Sequence, residues 1–373
     1  MKKLVFLVNT DSFFISHRLP IAKQLLKSGF EVHIATEFTN YRSQLDKIGF
    51  KTHEINFCRN SFNFFKIIIS IFQIFFMLRA IKPNIFHLIS IKPIILGGIV
   101  SFISPINSLV ISITGLGSMF LHKGIINKFR EYIIINLYKI IFMYPKLIVI
   151  LQNNYDKKYL IRNSNLSKKK IKIIKGSGVN LKNFDFSKIK YKLPIILMAS
   201  RIIGDKGVKE YVNAAQYLKK ENFKGKFLLI GDIDFANPSA IRKNQINEWK
   251  KNKLISYFKH KKNIKKYIKK STIVVLPSYR EGFPKILMEA AACGRPVIAS
   301  NVPGCKDAVL NNITGFLVPV KNYISLAKAI KKLSLNRNKL NKIGKAARKH
   351  AVENFNVKDI VSRHLSIYKT LIK

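Results

Sequence analysis

Cysteine is scarce in this sequence of 373 residues, and no long apolar run opens the chain. The three cysteines, Cys58, Cys293 and Cys305, have neither the spacing of a metal site nor the density of a disulfide framework, so we expect a reducing compartment, the cytoplasm. The apolar run in "MKKLVFLVNTDS" is five residues long, shorter than the roughly 7–15 residues of an export signal. It predicts a first strand instead.

Acidic residues are also few. The chain has 19 Asp and Glu against 67 Lys and Arg, which gives a formal net charge of +48 at pH 7. The basic residues are spread over the whole chain, and they form neither a localised patch with interleaved aromatics nor a known nucleic-acid module. The sequence therefore predicts no nucleic-acid partner, and its charge favours an anionic membrane surface or a phosphate-bearing substrate.

Short apolar runs alternate with longer segments of helical spacing. The first half contains "KLVFLV", "EVHIAT", "NIFHLIS", "SLVISIT" and "KLIVIL", and the second half contains "PIILMAS", "FLLIGD", "TIVVLP" and "PVIAS". Continuous apolar strands that alternate with helices predict parallel sheets covered on both faces. The fold class is therefore predicted to be α/β, with two Rossmann-like doubly wound domains facing a cleft.

The boundary between these domains is predicted from composition. The stretch "GSGVNLKNFDFSKIKYKL" is polar, charged and broken by glycine, as linkers are. We predict an N-terminal domain over residues 1–180, a linker over 181–193 and a C-terminal domain over 194–350. A C-terminal helix over 351–373 is predicted to pack back on the N-terminal domain.

Residues 61–81, "SFNFFKIIISIFQIFFMLRAI", are about as long and apolar as a membrane span. Lys66 and Gln73 interrupt the run, and the flanking strands require a crossover helix here. Three interpretations remain open: a buried helix that covers the sheet, a helix that lies in the bilayer interface, and a true span.

Charged residues follow the first strand of the second half. In "MASRIIGDKGVKEYV", Arg201 and Lys206 lie between the end of a strand and a helix that starts after Gly207. Two cations beside a helix N-terminus form a site for a phosphate or diphosphate. The alternative is a pair of solvated surface cations.

A second junction of this kind carries two acids. In "PSYREGFPKILMEAAACG", Glu281 and Glu289 are eight positions apart, so on one helix they fall on roughly the same face, about 12 Å apart along the axis. The chain passes from strand to helix through Gly282 and Pro284, and the amides around Gly282 and Phe283 are expected to face the same cleft. Glu281 can then accept hydrogen bonds from sugar hydroxyls, and Glu289 can bind a ribose diol. A capping or surface role is the alternative for either acid alone.

Together these segments resemble the donor domain of retaining glycosyltransferases of the large family-four group, which have GT-B architecture. The match covers most of residues 194–320, and Glu281 and Glu289 fit the E-x7-E motif of that family. The resemblance implies that Arg201 and Lys206 hold the nucleotide diphosphate, Glu281 the transferred sugar and Glu289 the ribose. It implies Arg201, Lys206 and Glu281 as catalytic residues.

The first half is similar to the branch that builds lipid-linked bacterial glycans, especially N-acetylgalactosaminyltransferases acting on undecaprenyl-diphosphate sugars. The similar segments are "FFISHRLPIAKQL", "ITGLGSMFLHKG" and "IIKGSGVNLKNF". His17 and Arg18, just past the first strand, are expected to meet the acceptor diphosphate; the alternative is a helix-start pair in solvent. The acceptor site is predicted to comprise His17, Arg18, Thr114, Gly115 and Gly117.

The sequence departs from the wider family at two places. It has "NTDSFF" where many members carry a glycine-rich first loop, and Thr114 where many have a histidine. Sugar contacts drawn from those members therefore do not transfer directly.

No carboxylate is clearly placed as a nucleophile. This favours a front-face reaction, in which the leaving phosphate takes the proton of the acceptor and the two cations stabilise the departing diphosphate. Asp232 and Asp234 have the D-x-D spacing of metal-dependent sugar transferases. Because two cations already face the diphosphate, we expect no metal and no cofactor.

The predicted function is transfer of a sugar, an N-acetylhexosamine, from a UDP-sugar to a lipid-diphosphate-linked saccharide in bacterial surface glycan assembly. The expected location is the inner face of the cytoplasmic membrane, in peripheral contact with anionic lipid. A nucleotide-sugar epimerase of the same architecture and a non-catalytic sugar-nucleotide-binding protein remain as alternatives, because fold does not fix function.

Overall fold

A computed structural model describes residues 1–57, 64–117, 124–189 and 193–372. The chain divides into two compact units. The first unit contains residues 1–177 and 358–373, and the second contains residues 178–357. Residues 181–193, predicted as a linker, thus fall inside the second unit, and nearly all of the last helix belongs to the first.

The first unit contains a sheet of seven parallel strands in the order β3-β2-β1-β4-β5-β6-β7. Their bounds are β1 Lys2–Thr10, β2 Phe30–Glu37, β3 Lys51–Glu54, β4 Ile85–Ile89, β5 Ser108–Ile113, β6 Leu147–Leu151 and β7 Ile171–Ile173. Strands β4 and β5 and residues 4–8 of β1 are buried, as expected for a sheet covered on both faces.

Eight helices of the described chain surround this sheet. They are α1 Asp11–His17, α2 Leu19–Lys27, α3 Arg42–Ile48, α4 Phe64–Ile81, α5 Ile91–Ser101, α6 Ile125–Phe142, α7 Asn154–Ser164 and α15 Val357–Ile372. Helix α5 packs against α4, α6 and the sheet. Gly97 permits this close packing, because a Cβ there would lie 2.5 Å from Leu88 and 2.8 Å from Leu7.

The second unit contains six parallel strands in the order β10-β9-β8-β11-β12-β13. The strands are β8 Ile195–Ala199, β9 Lys226–Ile230, β10 Ser256–Phe258, β11 Ile273–Leu276, β12 Val297–Ser300 and β13 Gly315–Val318. The helices are α8 Val208–Lys220, α9 Lys243–Lys251, α10 Ile264–Lys270, α11 Lys285–Ala292, α12 Cys305–Ala308, α13 Tyr323–Ser334 and α14 Arg337–Asn354.

Each sheet has a point at which the strand order reverses, between β1 and β4 in the first unit and between β8 and β11 in the second. In open parallel sheets, ligands bind outside the carboxyl ends of the strands at such points. The predicted α/β class with two parallel-sheet domains is confirmed. The predicted donor residues Arg201, Lys206 and Glu281 follow β8 and β11, the two strands at the reversal.

Helix α4 covers most of the segment predicted as residues 61–81, of which 61–63 lie outside the described residues. Ile74 and Leu78 on α4 are fully buried in the core, whereas Phe65, Phe72 and Phe76 are exposed. The helix thus covers the sheet with one side and presents an apolar face with the other. In the part of the chain that the structure describes, no helix is long and apolar enough to cross a membrane.

Candidate active site

Two loops at the carboxyl edge of the second sheet carry the predicted donor residues. The first follows β8 and contains a 3₁₀ turn, Gly204–Lys206, before α8. The second follows β11 and leads to α11 at Lys285. Because β8 and β11 are neighbours, the loops lie side by side, and the amide of Tyr279 donates to the carbonyl of Asp205 at 2.9 Å.

This arrangement brings Lys206 and Glu281 into direct contact. Lys206 Nζ lies 2.6 Å from Glu281 Oε1, and the two side chains are 20% and 11% exposed. A partly shielded, charge-assisted hydrogen bond of this kind is stronger than a surface ion pair. Lysine has three N–H donors, so Lys206 can hold Glu281 and still donate to a phosphate oxygen.

Arg201 is directed to a third loop, the one that follows β9. Its side chain is half exposed, and Nη1 lies 2.7 Å from Asp234 Oδ2. The other acid of the D-x-D pair has a separate partner, since Asp232 Oδ1 accepts from the amide of His260 at 3.0 Å. Within the described residues, no group of three or more His, Cys, Asp or Glu side chains is placed to hold a metal ion.

The predicted placement of Glu281 and Glu289 on one helix face is wrong. Helix α11 begins at Lys285, because Pro284 at its N-cap has extended backbone angles (φ −74°, ψ 120°). Glu281 therefore lies in the loop before the helix, and Glu289 lies only one turn inside it. Because Glu281 lies in this loop, it contacts Lys206. The contact does not depend on Glu281 and Glu289 sharing a helix face.

Glu289 is buried in α11, and Lys285, one turn earlier, lies 3.5 Å from its Oε1. Burial raises the pKa of the Glu289 carboxyl, and the nearby Lys285 offsets part of this effect. Phe283 is buried and packs edge-on against Phe355, so its side chain belongs to the core and its backbone amide is what remains for a ligand.

The predicted acceptor residues lie in the first unit, where Arg18 and His17 differ in environment. His17 ends α1, stacks on Phe13 and is partly exposed, with Nδ1 2.5 Å from Ser16 Oγ. Arg18 is only 2% exposed, so the alternative of a solvated helix-start pair is wrong for this residue.

Thr114, Gly115 and Gly117 follow β5 at the same carboxyl edge as Arg18. Thr114 and Arg18 line one narrow cavity together with Gln152 and His364. Gly115 and Gly117 have positive φ and shape the chain beyond β5, but they do not line this cavity. Cys58 and residues 118–123 of the segment "ITGLGSMFLHKG" lie outside the described residues.

Both halves of the sequence match glycosyltransferase families. Residues 3–144 match the model "Glycosyl transferase 4-like", and residues 180–350 match "Glycosyl transferases group 1". The chain belongs to the glycosyltransferases. The resemblance seen in the donor residues is confirmed at the level of the family.

Curated relatives match this glycosyltransferase over most of their length. It is 28% identical to N,N'-diacetylbacillosaminyl-diphospho-undecaprenol alpha-1,3-N-acetylgalactosaminyltransferase of Campylobacter jejuni, over 100% of this chain and 99% of the relative. It is 25% identical to UDP-Gal:alpha-D-GlcNAc-diphosphoundecaprenol alpha-1,3-galactosyltransferase of Escherichia coli, over 84% of this chain and 82% of the relative. It is 24% identical to the capsular polysaccharide glycosyltransferase CapM of Staphylococcus aureus, over 94% and 92%.

Solved structures confirm the GT-B fold of this glycosyltransferase. A glycosyltransferase from Rickettsia africae is 25% identical with a TM-score of 0.78, covering 100% of this chain and 99% of the other. The Anabaena protein Alr3699/HepE in complex with UDP-glucose is 18% identical with a TM-score of 0.80, and the match covers 100% of this chain and 99% of the other.

Two features of the glycosyltransferase's donor unit were missed by sequence reasoning. Gly304 packs against the second loop, since a Cβ there would lie 2.4 Å from the carbonyl oxygen of Gly282 and 2.7 Å from that of Glu281. The loop after β9 pairs with the first loop, where the amide of Gly204 donates to the carbonyl of Ser239 at 2.6 Å. The Asn-Pro turn signal in "GDIDFANPSAI" predicts a loop after β9, but it does not predict that this loop pairs with the first loop.

The paired loops enclose a cavity of about 660 Å³ in the second unit. Its polar lining comprises Asp205, Lys209, Ser239, Arg242, Asn244 and Gln245, and Tyr279 adds an aromatic ring. This cavity shares the 3₁₀ turn Gly204–Lys206 with the donor residue Lys206. Neither Lys206 nor Glu281 lines this cavity.

Proposed function

We propose that this chain is a retaining glycosyltransferase that transfers an N-acetylhexosamine from a UDP-sugar to a lipid-diphosphate-linked saccharide during assembly of a bacterial surface glycan. The observation that carries the proposal is the Lys206–Glu281 pair at the β8–β11 reversal, with Arg201 on the same loop as Lys206. The names of the Campylobacter and E. coli relatives, which describe transfer to diphospho-undecaprenol sugars, support the acceptor class.

In this proposal, Arg201 and Lys206 bind the diphosphate of the donor, Glu281 binds the transferred sugar and Glu289 binds the ribose. The backbone at Gly282, Phe283 and Pro284 completes the donor site. Because Lys206 is a cation with donors to spare, it can stabilise the charge that grows on the leaving diphosphate without reorganising.

The proposed reaction is a front-face displacement. The bond between the anomeric carbon and the diphosphate oxygen breaks while the acceptor hydroxyl oxygen bonds to the same carbon. The hydroxyl proton passes to the departing phosphate oxygen, so the acceptor adds on the face that the leaving group vacates and the configuration is retained. Glu281 is not required as a nucleophile, which is consistent with its hydrogen bond to Lys206.

We also propose that the reaction proceeds without a metal ion or a cofactor. Asp232 and Asp234, the acids with metal-site spacing, contact the His260 amide and Arg201. A metal bound by both acids would have to compete with these contacts. Two protein cations next to the diphosphate supply the charge that a metal provides in other transferases.

The acceptor is proposed to bind the first unit through His17, Arg18, Thr114, Gly115 and Gly117. Arg18 and Thr114 line the same cavity at the carboxyl edge of the sheet, which supports their joint role. A guanidinium recognises phosphate oxygens well because its N–H groups form a planar fork.

We propose that the protein binds peripherally to anionic lipid on the inner face of the cytoplasmic membrane. Helix α5 packs against α4 and α6, and these helices and the turn after α5 expose large apolar side chains. We name them the lipid face: Phe65, Phe72, Phe76, Phe102, Ile103, Ile125, Ile126, Phe129 and Tyr132. Phe65 is 76% and Ile125 87% exposed. Soluble monomers rarely expose so many contiguous apolar groups, and the net charge of +48 attracts anionic lipid.

The function is tested by incubating the protein with a panel of UDP-sugars and short lipid diphosphate acceptors and reading the products by mass. We expect a lipid-linked product one sugar heavier, and loss of that product in Lys206→Ala. Epimerised sugar without transfer identifies the epimerase alternative, and binding without any product identifies the non-catalytic one. NMR of the product's anomeric configuration tests retention.

Membrane attachment is tested by flotation with vesicles, of which one set contains anionic lipid and the other is zwitterionic. We expect binding to anionic vesicles at low salt and partial release at high salt, because salt screens the charge. Phe129→Ser on the lipid face should weaken binding roughly tenfold. Phe235→Ser is the control, because Phe235 lies in the second unit and is more exposed than Phe129 (76% against 63%); it should bind like the parent. Equal weakening of vesicle binding in both variants would show that the lipid face is not the surface that binds the membrane.

A further inference from the structure

The cavity of about 660 Å³ in the second unit has no part in the proposed reaction, because neither Lys206 nor Glu281 lines it. Its volume falls within the range of small-molecule sites, roughly 300–1,000 Å³. The walls come from the 3₁₀ turn Gly204–Lys206, the start of α8, the end of the loop after β9, the start of α9 and Tyr279. The chemistry of this lining indicates which second ligand the protein can bind.

Backbone contacts hold the walls together. The amide of Gly204 donates to the carbonyl of Ser239 at 2.6 Å, and Ile203 and Ala240 form an antiparallel bridge. These contacts join the loop after β9 to the loop after β8. The cavity therefore has a shape that the folded second unit defines, as a binding site requires.

Tyr279 presents a fixed aromatic ring to the cavity. Its hydroxyl donates to Glu210 Oε1 on α8 at 2.6 Å, and the ammonium of Lys321 lies 5.0 Å from the centroid of its ring. Because the O–H group already has an acceptor, the ring offers a ligand mainly apolar surface. An aromatic ring gains much from covering that surface, and the C–H face of a sugar is flat and apolar enough to do so.

Two cations border the same cavity. Lys209 lies in the first turn of α8, and Arg242 lies immediately before α9. Both side chains are exposed, and neither forms an ion pair in the part of the chain that the structure describes. A guanidinium binds a carboxylate or a phosphate through two parallel N–H groups, and an ammonium adds a compact charge. The two cations therefore indicate an acidic group on the ligand.

Asp205 limits how much negative charge the ligand can carry. This residue is 8% exposed and lines the cavity. A carboxylate accepts hydrogen bonds from hydroxyls and repels a second anion at short range, so a ligand that is anionic over its whole length fits poorly. Asn244 and Gln245 add amide groups that both donate and accept. The lining thus suits a ligand with several hydroxyls and one acidic group.

We propose that this cavity binds an acidic sugar residue, a hexose that carries a carboxylate or a phosphate group. Lys209 and Arg242 bind the acidic group. Asp205 accepts from the sugar hydroxyls, and Tyr279 packs against the C–H face of the ring. The site is separate from the proposed donor and acceptor sites, and its occupation requires no glycosyl transfer. Because Asp205 and Tyr279 belong to the two donor loops, a bound sugar also restrains those loops.

The test is binding to the full chain without donor or acceptor, measured by calorimetry. Glucuronic acid and glucose 6-phosphate are the acidic hexoses, glucose is the neutral comparison, and acetate and inorganic phosphate are the free anions. We expect at least one acidic hexose to bind tenfold or more tightly than glucose and than its own free anion. The acidic hexose that binds more tightly identifies the acidic group. Because no turnover is involved, this binding can be present even if glycosyl transfer fails.

Neighbouring cations supply a matched pair of variants. Arg242→Gln should weaken the acidic hexose about tenfold and leave glucose unchanged, because Arg242 contacts only the acidic group. Lys243→Gln is the control, since Lys243 is the next residue and is exposed but does not line the cavity. It should bind the acidic hexose like the parent, and so should Lys206→Ala at the donor site.

Asp205→Asn tests the other end of the ligand. It should weaken glucose and strengthen the free anion, because it removes an acceptor for hydroxyls together with a charge that repels anions. Thermal melts check that each variant is folded. Arg242 is exposed, so its variant keeps the test decisive if Asp205→Asn does not fold.

Three results would overturn the inference. In the first, both acidic hexoses bind no more tightly than glucose or the free anions. In the second, Arg242→Gln and Lys243→Gln weaken binding equally, which assigns the effect to the general positive charge of the surface. In the third, Lys206→Ala loses the acidic hexose while Arg242→Gln retains it, which places the ligand at the donor site.

Discussion

Lys206 and Glu281 form a hydrogen-bonded ion pair at 2.6 Å although 75 positions separate them in the sequence. One follows β8 and the other follows β11, so the pair exists because these strands are neighbours. A cation for the diphosphate and an acid for the sugar therefore share one contact, and a change in either alters the other.

Lys206→Ala is expected to lower kcat by about 100-fold or more, because the charge on the leaving diphosphate grows in the transition state. Glu281→Gln should also lower kcat and should relax the choice of sugar. The double variant should lose less than the sum of the two losses, since the residues act through one contact. Steady-state kinetics with folding checked by melts measures this, and strict additivity would contradict the coupling.

Glu289→Gln is expected to raise the donor KM, by the equivalent of about 1–3 kcal/mol, with kcat nearly unchanged. A ribose contact changes little during the reaction, which is why the effect falls on binding. The same kinetics checks this. A loss of kcat at unchanged KM would move Glu289 into the reacting part of the site.

The pKa of Glu289 gives a separate prediction for stability. Burial raises this pKa above 4.5, so the folded protein binds the proton more tightly than the unfolded chain. The contribution of Glu289 is therefore largest at low pH and is lost as pH rises through 4.5 toward the raised value. Urea unfolding from about pH 4 to 7 should show this loss in the parent and less of it in Glu289→Gln. Glu353→Gln, at an exposed glutamate, is the control and should follow the parent.

Excess chelator is expected to leave most of the activity intact. Asp234 contacts Arg201, so the proposal predicts that Asp234→Asn weakens donor binding by releasing Arg201 rather than by losing an ion. Activity that is lost with chelator and restored by Mn²⁺ would instead assign Asp232 and Asp234 to metal binding.

Gly304→Ala is expected to lower activity and stability together. A Cβ at this position meets the carbonyls of Glu281 and Gly282, so the second donor loop must move. Gly29→Ala is the matched control, because its φ of +78° is close to the +79° of Gly304 but nothing lies within 4 Å of its Cβ. Melting temperature and kcat should fall further in Gly304→Ala than in Gly29→Ala. This difference measures the effect of displacing the second donor loop. Equal losses in the two variants would show that only backbone strain matters.

The apolar strands could be predicted from the sequence, whereas four others could not. The missed strands are β3, β7, β10 and β13, and each lies at an edge of its sheet. They have three or four residues each, and β3, "KTHE", has no residue that is fully buried. Edge strands are often short, and three or four residues are too few to show a strand period; in β3 and β7 charged residues also interrupt the apolar signal.

The donor loops could be predicted because glycine and charge follow an apolar strand directly. The burial of Arg18 could not be predicted, because "SHRLP" is typical of a polar, exposed helix start. Its burial depends on His364 and Tyr368, which lie at the opposite end of the chain and reach it only through the fold. Periodicity reports the local structure of a segment, and it does not report which distant helix covers it.

The return of α15 to the first unit sets the order in which the protein can be completed on the ribosome. All seven strands of that unit are synthesised before residue 178, yet the hydroxyl partner of His87 belongs to Tyr368. The second unit is continuous in sequence and can finish folding as soon as it emerges. The first must wait with His87 and Arg18 uncovered until α15 has been synthesised. A chain truncated after residue 357 should therefore contain a native second unit and an open first one.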